Sequence, residues 1–438
     1  MPSATENNIN SSSHPNTAMA ELTNQTIERI RNDFPILNKE LDGMPIVYFD
    51  NSCMTLRPRQ VIDAMNRYYI DFPACALRSH HKLSTKATEE VEKSRKTIQK
   101  FVGAKSEKEI IFTKNTTEGI NLVANSLALS GFFKKGDVVL TTNKEHNSNL
   151  IPWQMLVKHK SITHKIVEFN DEFSMQDFEK KLTKEVRLVS MVWTSNLDGT
   201  SIPIKEIIEK AHANKSLVLI DAAQAAPHKK IDVKSLGADF ISFSGHKMLG
   251  PSGTGIFYGK ESLLNSMSPF IVGGETVKDS TYESADFEEL PMKFEAGLQN
   301  YAGIIGLAAA CDYLSKINLD LVEQHEKKLN KIITSELTNH LINKNYKRIK
   351  ILGPSDPSQS EKRGGIFSFN IEGADPHNVA ITLDSAHNIM LRSGHHCCHS
   401  WFNAKNINGS VRASLYLYNT EEEAEFFVEK VKEVLKVL

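Results

Sequence analysis

Short apolar runs alternate with amphipathic stretches over residues 109–258 of the chain. The runs are four to seven residues long, which is typical of strands buried on both faces of a parallel sheet. The predicted strands are 109–112, 138–141, 187–193, 217–220, 240–243 and 255–258. The intervening stretches 116–129 and 202–213 have the apolar spacing of helices. This alternation predicts an α/β domain with a mostly parallel sheet.

The sequence pattern changes on both sides of this region. Helices are predicted at 25–33, 60–69, 84–101, 302–314, 320–341 and 421–437, and two further strands at 46–49 and 366–370. We therefore predict a large domain at 46–305 and a smaller α+β domain at 306–438, against which an N-terminal segment at 24–45 packs. Residues 1–23 are rich in Asn, Ser and Thr, which predicts a disordered tail.

Charge and composition argue against several classes of protein. Of the 438 residues, 52 are Lys or Arg and 53 are Asp or Glu, so the net charge is −1. Neither nucleic acid nor an anionic membrane is therefore expected as the main partner. No apolar run approaches the roughly 18 residues of a membrane span, and the polar N terminus resembles neither a secretory signal nor a transit peptide. We expect a cytoplasmic protein whose five cysteines are reduced thiols rather than a disulfide framework.

Candidate ligand-binding side chains follow the predicted strands. Asn196, Asp221 and Lys247 each come just after an apolar run, and ligands bind where the carboxyl ends of parallel strands meet. Lys247 lies in the turn Ser244-Gly245-His246-Lys247, where its amine can hold a carbonyl cofactor as a Schiff base. A lysine in a glycine-rich loop is otherwise a solvated surface residue. A nucleotide P-loop is excluded because its Gly-Lys-Ser/Thr ending is missing.

Other polar residues offer partners for such a cofactor, and each has a simpler interpretation. Thr116 and Thr117 start a predicted helix, where they either cap it or help its N terminus to bind a phosphate; capping is the commoner role. The Asp221 carboxylate and the Gln224 amide suit a protonated ring nitrogen and a ring oxygen, although aspartate is also common in turns. His146 follows a strand, where an imidazole stacks on a flat ring, moves protons or is merely structural.

A second cluster, Arg392-Ser393-Gly394-His395-His396-Cys397-Cys398-His399, is rich in nucleophiles and metal ligands. It predicts either a metal site or a loop that carries a reactive thiol. Adjacent residues ligate one ion poorly and the usual ligand spacing is missing, whereas neighbouring His and Arg lower the pKa of a thiol. A purely structural loop is the simplest alternative.

Four stretches together resemble the class V, fold-type I pyridoxal-phosphate (PLP) enzymes, and among them the SUF-type (group II) cysteine desulfurases. They are Ser244-Gly245-His246-Lys247, Asp221-x-x-Gln224, Thr116-Thr117-Glu118-Gly119-Ile120-Asn121 and Arg392-Ser393-Gly394-His395-His396-Cys397. Similar stretches lie at 121–126, 151–155, 294–297 and 412–420, and the resemblance covers about residues 30–435. It implies a mostly parallel, seven-stranded sheet in the large domain, and a homodimer in which each active site is completed by the partner subunit.

The resemblance also implies PLP as the cofactor and a role for each candidate residue. Lys247 is the Schiff-base lysine and proton shuttle, and Cys397 is the thiol that receives the substrate sulfur. Asp221 pairs with the ring nitrogen and Gln224 with the ring oxygen, while His146 stacks on the ring. The phosphate is held by Thr116, Thr117, Ser244 and His246. The substrate carboxylate is bound by Asn196 and Arg412, with Arg392 nearby.

The sequence departs from the family pattern at four places near the expected site. Leu298-Gln299-Asn300 stands where the family has Thr-Pro-Asn, which removes a hydroxyl expected to reach the partner's cofactor phosphate. Asn51-Ser52-Cys53-Met54-Thr55 replaces small residues, and Leu77-Arg78-Ser79 replaces His-Arg-Gly. Cys398-His399-Ser400-Trp401 stands where the family has small and apolar residues after Cys397. These departures bear on the substrate and the sulfur acceptor rather than on PLP binding.

We therefore predict a PLP-dependent cysteine desulfurase that converts L-cysteine to L-alanine and leaves a persulfide on Cys397. Its sulfur would pass to an acceptor or scaffold protein for iron–sulfur cluster assembly. A selenocysteine lyase acting on L-selenocysteine, or another C–S lyase using Lys247, is the alternative within this class. A metal- or cluster-binding protein with an inactive PLP pocket, built on Cys53, Cys75 and residues 395–399, is the alternative from another class. Cys53, Cys75 and Cys398 otherwise form a thiol relay or are inert packing residues.

Overall fold

The computed structural model describes residues 21–160, 162–344 and 349–437. Its helices are α1 (Asn24–Asn32), α2 (Arg59–Asp71), α3 (Lys82–Val102), α4 (Thr116–Leu129), α5 (Ile151–Lys160), α6 (Met175–Lys181), α7 (Ile204–Ala213), α8 (Val233–Leu236), α9 (Glu261–Ser266), α10 (Tyr301–Ile317), α11 (Leu319–Lys344), α12 (Pro376–His387), α13 (His399–Lys405) and α14 (Glu421–Val437). Its strands are β1 (Glu40–Leu41), β2 (Met44–Pro45), β3 (Val47–Tyr48), β4 (Ile110–Thr113), β5 (Val138–Thr142), β6 (Thr163–Val167), β7 (Val186–Val192), β8 (Leu217–Asp221), β9 (Phe240–Ser244), β10 (Gly255–Gly259), β11 (Val277–Ser280), β12 (Ala285–Phe287), β13 (Ile349–Leu352), β14 (Ile366–Ile371), β15 (Ile389–Met390), β16 (Arg392–Gly394) and β17 (Ser410–Ser414). Within these ranges no helix combines the length and the apolar character needed to cross a bilayer.

The main sheet has seven strands in the order β4-β10-β9-β8-β7-β5-β6. Neighbouring strands from β6 to β9 are parallel, and β10 runs antiparallel to both β9 and β4. Consecutive residues of a strand enter different apolar clusters: in β8, Val218 and Ile220 pack with residues of α3, α7 and α10, whereas Leu219 packs with residues of α4 and α5. Both faces of the sheet are therefore covered. The predicted α/β class and the mostly parallel sheet are confirmed.

Strand β6 lies at the edge of the main sheet and was missed by the sequence pattern. Its side chains are mostly polar, and Thr163 and Ile166 are exposed. A strand at the edge of a sheet is partly exposed to solvent and does not need to be apolar throughout, so β6 has no continuous apolar run. The strand pairs in parallel with β5 along its whole length.

A second, antiparallel sheet has the order β13-β14-β17-β16. Its apolar side packs with residues of α11, α12 and α14 in a separate core. We predicted only one of its strands, 366–370, which corresponds to β14. Strand β16 is three residues long and starts with the exposed Arg392, so it carries no hydrophobic signal.

The N-terminal segment and α10 pack against elements around the two sheets. Leu22 and α1 pack into the core of the main sheet, while Arg31 donates to the Tyr418 carbonyl at 2.6 Å and pairs with Glu423 at 2.8 Å. Helix α10 packs along α2 and α3, and the predicted boundary between residues 305 and 306 lies inside it. The domain division stays a prediction. Residues 1–20 of the predicted tail lie outside the described residues.

A buried ion pair joins α3, β4 and the segment before α10. Arg95 makes two parallel hydrogen bonds to Glu295, at 2.7 and 2.8 Å, and donates to the Ile110 carbonyl at 2.7 Å. The Phe112 amide donates to the same carboxylate at 2.8 Å. The side chains of Arg95 and Glu295 are 7% and 1% exposed. Because β4 leads directly into the start of α4, this pair holds one wall of the site described next.

Candidate active site

The carboxyl ends of the parallel strands and the second sheet enclose a cavity of about 210 Å³. All twelve site residues predicted from the sequence line it: Thr116, Thr117, His146, Asn196, Asp221, Gln224, Ser244, His246, Lys247, Arg392, Cys397 and Arg412. These residues are spread over almost 300 positions of the chain. The expectation that the strand-end residues share one edge of the sheet is therefore correct.

Lys247 and Asp221 lie at the ends of two adjacent strands, and their charges interact. Asp221 is the last residue of β8, and Lys247 ends a 3₁₀ turn that directly follows β9. Burial lowers the pKa of the Lys247 amine, against the raising effect of Asp221. Burial likewise raises the pKa of Asp221, against its hydrogen bond from the Ala223 amide and the charge of Lys247.

The sequence left open whether Asp221 is a turn residue or a ligand-binding residue, and its carboxylate is placed to be both. One carboxylate oxygen accepts from the Ala223 amide at 2.9 Å, which is the local contact of a turn aspartate. The other oxygen has no hydrogen bond within the described part of the chain, and the residue is 2% exposed. This oxygen is available to a ligand in the cavity.

Gln224 has spare hydrogen-bonding capacity at the same wall. Its Nε2 donates to the Ser52 carbonyl at 2.7 Å, and an amide nitrogen carries a second N–H. Its Oε1 is buried and has no partner among the residues described. A buried polar atom without a partner is costly, so this amide is suited to a polar ligand.

Helix α4 starts at the cavity, but its threonines do not cap it. Asn115 is the N-cap, because its side chain accepts from the Glu118 amide at 3.0 Å. The capping interpretation of Thr116 and Thr117 is therefore wrong. The Thr116 amide donates to the Ser244 hydroxyl at 2.9 Å, and the two hydroxyls lie 2.7 Å apart.

This approach of α4 to β9 depends on Gly119. A Cβ atom at Gly119 would lie 2.2 Å from the buried Ser242 hydroxyl. The absent side chain lets the helix lie against the strand. The positive end of a fourteen-residue helix then points to a group of hydroxyls, which is a favourable place for an anion.

His146 also lines the cavity, as a neutral imidazole. Burial, together with the charge of Lys247, lowers its pKa to about 3. Its Nδ1 accepts from the Ser148 amide at 3.1 Å, so the proton of the neutral ring is on Nε2. A neutral ring is able to stack on a flat aromatic ligand.

The turn that carries His146 is anchored by Glu145, which we did not single out from the sequence. Its buried carboxylate accepts from the Thr142 amide and hydroxyl at 3.1 and 2.8 Å, from the Val192 amide at 3.0 Å and from Asn149 at 2.7 Å. The available signal was a charged residue placed between a buried strand and a candidate histidine.

Arg392 and Arg412 come from adjacent strands of the second sheet and are directly opposite in register. Arg412 donates to the Asn196 carbonyl at 2.8 Å, and its Nη2 lies 3.6 Å from Asp50. Its Nε is buried and has no partner within the described ranges. Two guanidinium groups and one unused donor are suited to bind a carboxylate.

Cys397 follows β16 in a short loop and is exposed at the cavity. His396 and Cys397 both have left-handed backbone conformations, with φ of 48° and 58°. Their carbonyls are held by the other side of the cavity: Asn196 donates to His396 O at 2.6 Å, and the Asn147 amide donates to Cys397 O at 2.8 Å. The loop is therefore docked rather than free.

The remaining cysteines do not gather into a metal site. Cys53 lines the cavity, whereas Cys75 lies 4.0 Å from the Tyr301 hydroxyl and does not line it. Among the described residues, no group of three or more His, Cys, Asp or Glu side chains is arranged to hold a metal ion. Ser148, which lines the cavity beside Thr117, was not singled out from the sequence, and His396, which lines it beside Cys397, was considered only as a member of the 395–399 cluster.

Comparison with known proteins identifies relatives over nearly the whole chain. The profile of the aminotransferase class-V family matches residues 47–427. A probable cysteine desulfurase of Halalkalibacterium halodurans is 40% identical over 409 residues, which cover 92% of this chain and 97% of that protein. A cysteine desulfurase structure from Thermococcus onnurineus NA1 has a TM-score of 0.86 at 39% identity, covering 94% of this chain and 98% of that one. A cysteine desulfurase structure from Escherichia coli has a TM-score of 0.84 at 28% identity, covering 94% and 99%.

Proposed function

The chain belongs to the aminotransferase class-V family, and we propose that it is a PLP-dependent cysteine desulfurase. It converts L-cysteine to L-alanine and keeps the sulfur as a persulfide on Cys397. One observation carries the proposal: an amine, a carboxylate and an exposed thiol, those of Lys247, Asp221 and Cys397, line one cavity together with two arginines.

The residues of the cavity fit PLP. The N terminus of α4 and the side chains of Thr116, Thr117, Ser244 and His246 are suited to a phosphate. The unpaired Asp221 oxygen suits a protonated ring nitrogen, and the second N–H of Gln224 suits the ring oxygen. The neutral His146 ring is suited to stack on the cofactor, and Lys247 to hold it covalently.

PLP, when bound, supplies an electron sink for the carbanion that forms when the substrate loses its Cα proton. Lys247 holds and moves that proton at its Nζ. Because burial lowers the pKa of this amine, its neutral, basic form is populated at a lower pH than that of an exposed lysine. Asp221 favours the protonated amine and thereby limits this shift.

Residues of the second sheet, together with Asn196 after β7, bind the amino acid, and the loop after β16 receives its sulfur. Arg412 and Asn196, with Arg392 opposite, bind the substrate carboxylate, using the free Nε of Arg412. Cys397 then forms a bond to the substrate sulfur while the carbon–sulfur bond breaks. L-Cysteine and the thiol thus give L-alanine and the persulfide, and no further oxidant is needed.

The absorbance spectrum of the purified protein tests this function first. A visible band that borohydride shifts and fixes on Lys247, and that changes on addition of L-cysteine, is expected. Lys247→Ala should lose both the band and turnover. A colourless protein that does not take up PLP, or one that releases no alanine from L-cysteine with a reductant or an acceptor, would contradict the proposal.

The choice of thiol is tested separately. Cys397→Ser should keep the visible band but form no persulfide, whereas Cys398→Ser should lose much less activity. If Cys398→Ser were the inactive variant, the nucleophile would be wrongly assigned. Parallel assays with L-cysteine and L-selenocysteine distinguish a desulfurase from a selenocysteine lyase.

We also propose that the enzyme is a homodimer that passes its sulfur to an acceptor or scaffold protein for iron–sulfur cluster assembly. The exposed position of Cys397 supports transfer to another protein. Exposed apolar side chains at Leu298, Ile271 and Val272 support a protein–protein contact beside the loop after Glu295. Light scattering is expected to give twice the chain mass, and a fully active monomer would contradict the dimer.

A further inference from the structure

The buried thiol of Cys398 has no part in the proposed chemistry, although it is adjacent to the nucleophile. It is 1% exposed, and its Sγ lies 3.4 Å from Asn196 Oδ1. Burial raises its pKa to about 12, so at neutral pH it remains a protonated thiol. Because Asn196 Oδ1 can only accept, the S–H is the donor of this hydrogen bond.

The Asn196 amide lies between this donor and an acceptor. On one side Oδ1 accepts from Cys398, and on the other side Nδ2 donates to the His396 carbonyl at 2.6 Å. A rotation of the amide by half a turn would place Oδ1 against the carbonyl oxygen and Nδ2 against the thiol. Both partners therefore favour the same orientation of the amide, and without the thiol no donor to Oδ1 remains among the described residues.

The orientation of this amide matters for the nucleophile. His396 and Cys397 both have left-handed backbones, which are strained for residues other than glycine. The hydrogen bond from Asn196 to His396 O and that from the Asn147 amide to Cys397 O offset this strain. Loss of the Asn196 contact would leave the loop with one carbonyl anchor across the cavity.

We propose that Cys398 is a positioning residue that orients the Asn196 amide and thereby docks the Cys397 loop. The thiol acts through Asn196 on two functions at once, since that amide is also proposed to bind the substrate carboxylate. The proposal rests on the proposed function only for the role of Cys397 and the substrate; the docking itself is independent of any reaction. It assigns different roles to two adjacent cysteines, one a nucleophile and the other a hydrogen-bond donor.

Hydrogen exchange of the PLP-loaded protein without substrate tests the docking directly. In Cys398→Ala, the peptides that contain Asn147 and residues 390–402 should exchange about threefold to tenfold faster, as expected for the loss of one buried hydrogen bond. The KM for L-cysteine should rise by a similar factor, while the sulfur found on Cys397 after one turnover at saturating L-cysteine should stay unchanged.

Two further variants separate the hydrogen bond from the loss of volume. Cys311→Ala removes a fully buried thiol in α10 that does not line the cavity, and should leave both readouts at their original values. Cys398→Ser keeps a donor on a shorter bond and should lie between the original protein and Cys398→Ala.

Exchange and KM that are unchanged in Cys398→Ala would overturn the proposal. Equal effects of Cys398→Ser and Cys398→Ala would also overturn it, because they would point to packing instead of the donor. If the original protein released no alanine, the proposed function would fail, whereas the exchange rates would still decide the docking.

Discussion

Glu295→Gln is expected to destabilise the protein by about 3–5 kcal/mol, although the substitution changes the shape of the side chain very little. In the native structure both carboxylate oxygens accept hydrogen bonds from Arg95, and one of them also accepts a hydrogen bond from the Phe112 backbone amide. With glutamine, one of these oxygens becomes an NH₂ group that faces a guanidinium N–H. The Arg95 charge then stays buried without a counterion.

The magnitude follows from burial. Exposed ion pairs contribute about 0–1 kcal/mol, but the two side chains here are 7% and 1% exposed, so water cannot replace the lost partner. Arg95 keeps its hydrogen bond to the Ile110 carbonyl and its position 4.1 Å from the Phe112 ring centroid. These contacts do not neutralise its charge, which is why removal of one partner of a buried pair costs more than the pair itself contributes.

Equilibrium urea unfolding of the PLP-loaded protein measures this loss. Adding Arg95→Met removes the unpaired charge, so the double variant should be about 2 kcal/mol more stable than the sum of the single effects. The matched control is Glu179→Gln, which removes an exposed carboxylate 2.7 Å from Lys210 and should change stability by less than about 0.5 kcal/mol. A loss below about 1 kcal/mol for Glu295→Gln, or strictly additive effects, would refute the reasoning.

Three further predictions address other parts of the molecule. Burial lowers the pKa of His164 to about 4, so between that value and the unfolded pKa of about 6.5 the unfolded chain binds more protons at this residue, and its contribution to stability should fall by about 2 kcal/mol from pH 7 to pH 5. In urea unfolding, His164→Gln should reduce the total loss of stability between these pH values by this amount, while other buried histidines such as His146 keep their own contribution; an unchanged loss would count against the prediction. Gly119→Ala places a Cβ 2.2 Å from the Ser242 hydroxyl and should cost about 1–3 kcal/mol and weaken PLP retention in gel filtration; full retention would show that the close approach of α4 is not needed. Asp221→Asn should keep the visible band that depends on Lys247 but lower kcat/KM by about 10²–10³-fold, and near-normal turnover would remove Asp221 from its role.

The sequence pattern predicted those parts of the fold in which burial is complete. β8 and β9 were recognised because both faces of these strands are covered, so most of their positions are apolar. The residues after them, Asp221 and Lys247, could be placed at one edge because parallel strands share an edge. β6 and β16 were missed because exposed or very short strands have no continuous apolar run in the sequence.

The side-chain network of the site was less accessible from the sequence. Asn115 caps α4, yet Asn, Thr and Thr in succession are all acceptable caps, and only the backbone conformation decides between them. The contacts of Asn196 with His396 and Cys398 join residues about 200 positions apart, and no local pattern relates such residues. The family resemblance supplied candidate roles, but the Cys398 contact lies at a position where this chain departs from the family.

The two sheets contribute different groups to the cavity. Residues suited to hold PLP come from the main sheet and α4, whereas Arg392, Cys397 and Arg412 come from β16, β17 and the loop between them. Substitutions in residues 392–412 can therefore change the substrate or the sulfur acceptor while the residues suited to hold the cofactor stay the same. During evolution, new activities of this protein would then arise in the second sheet and its loop.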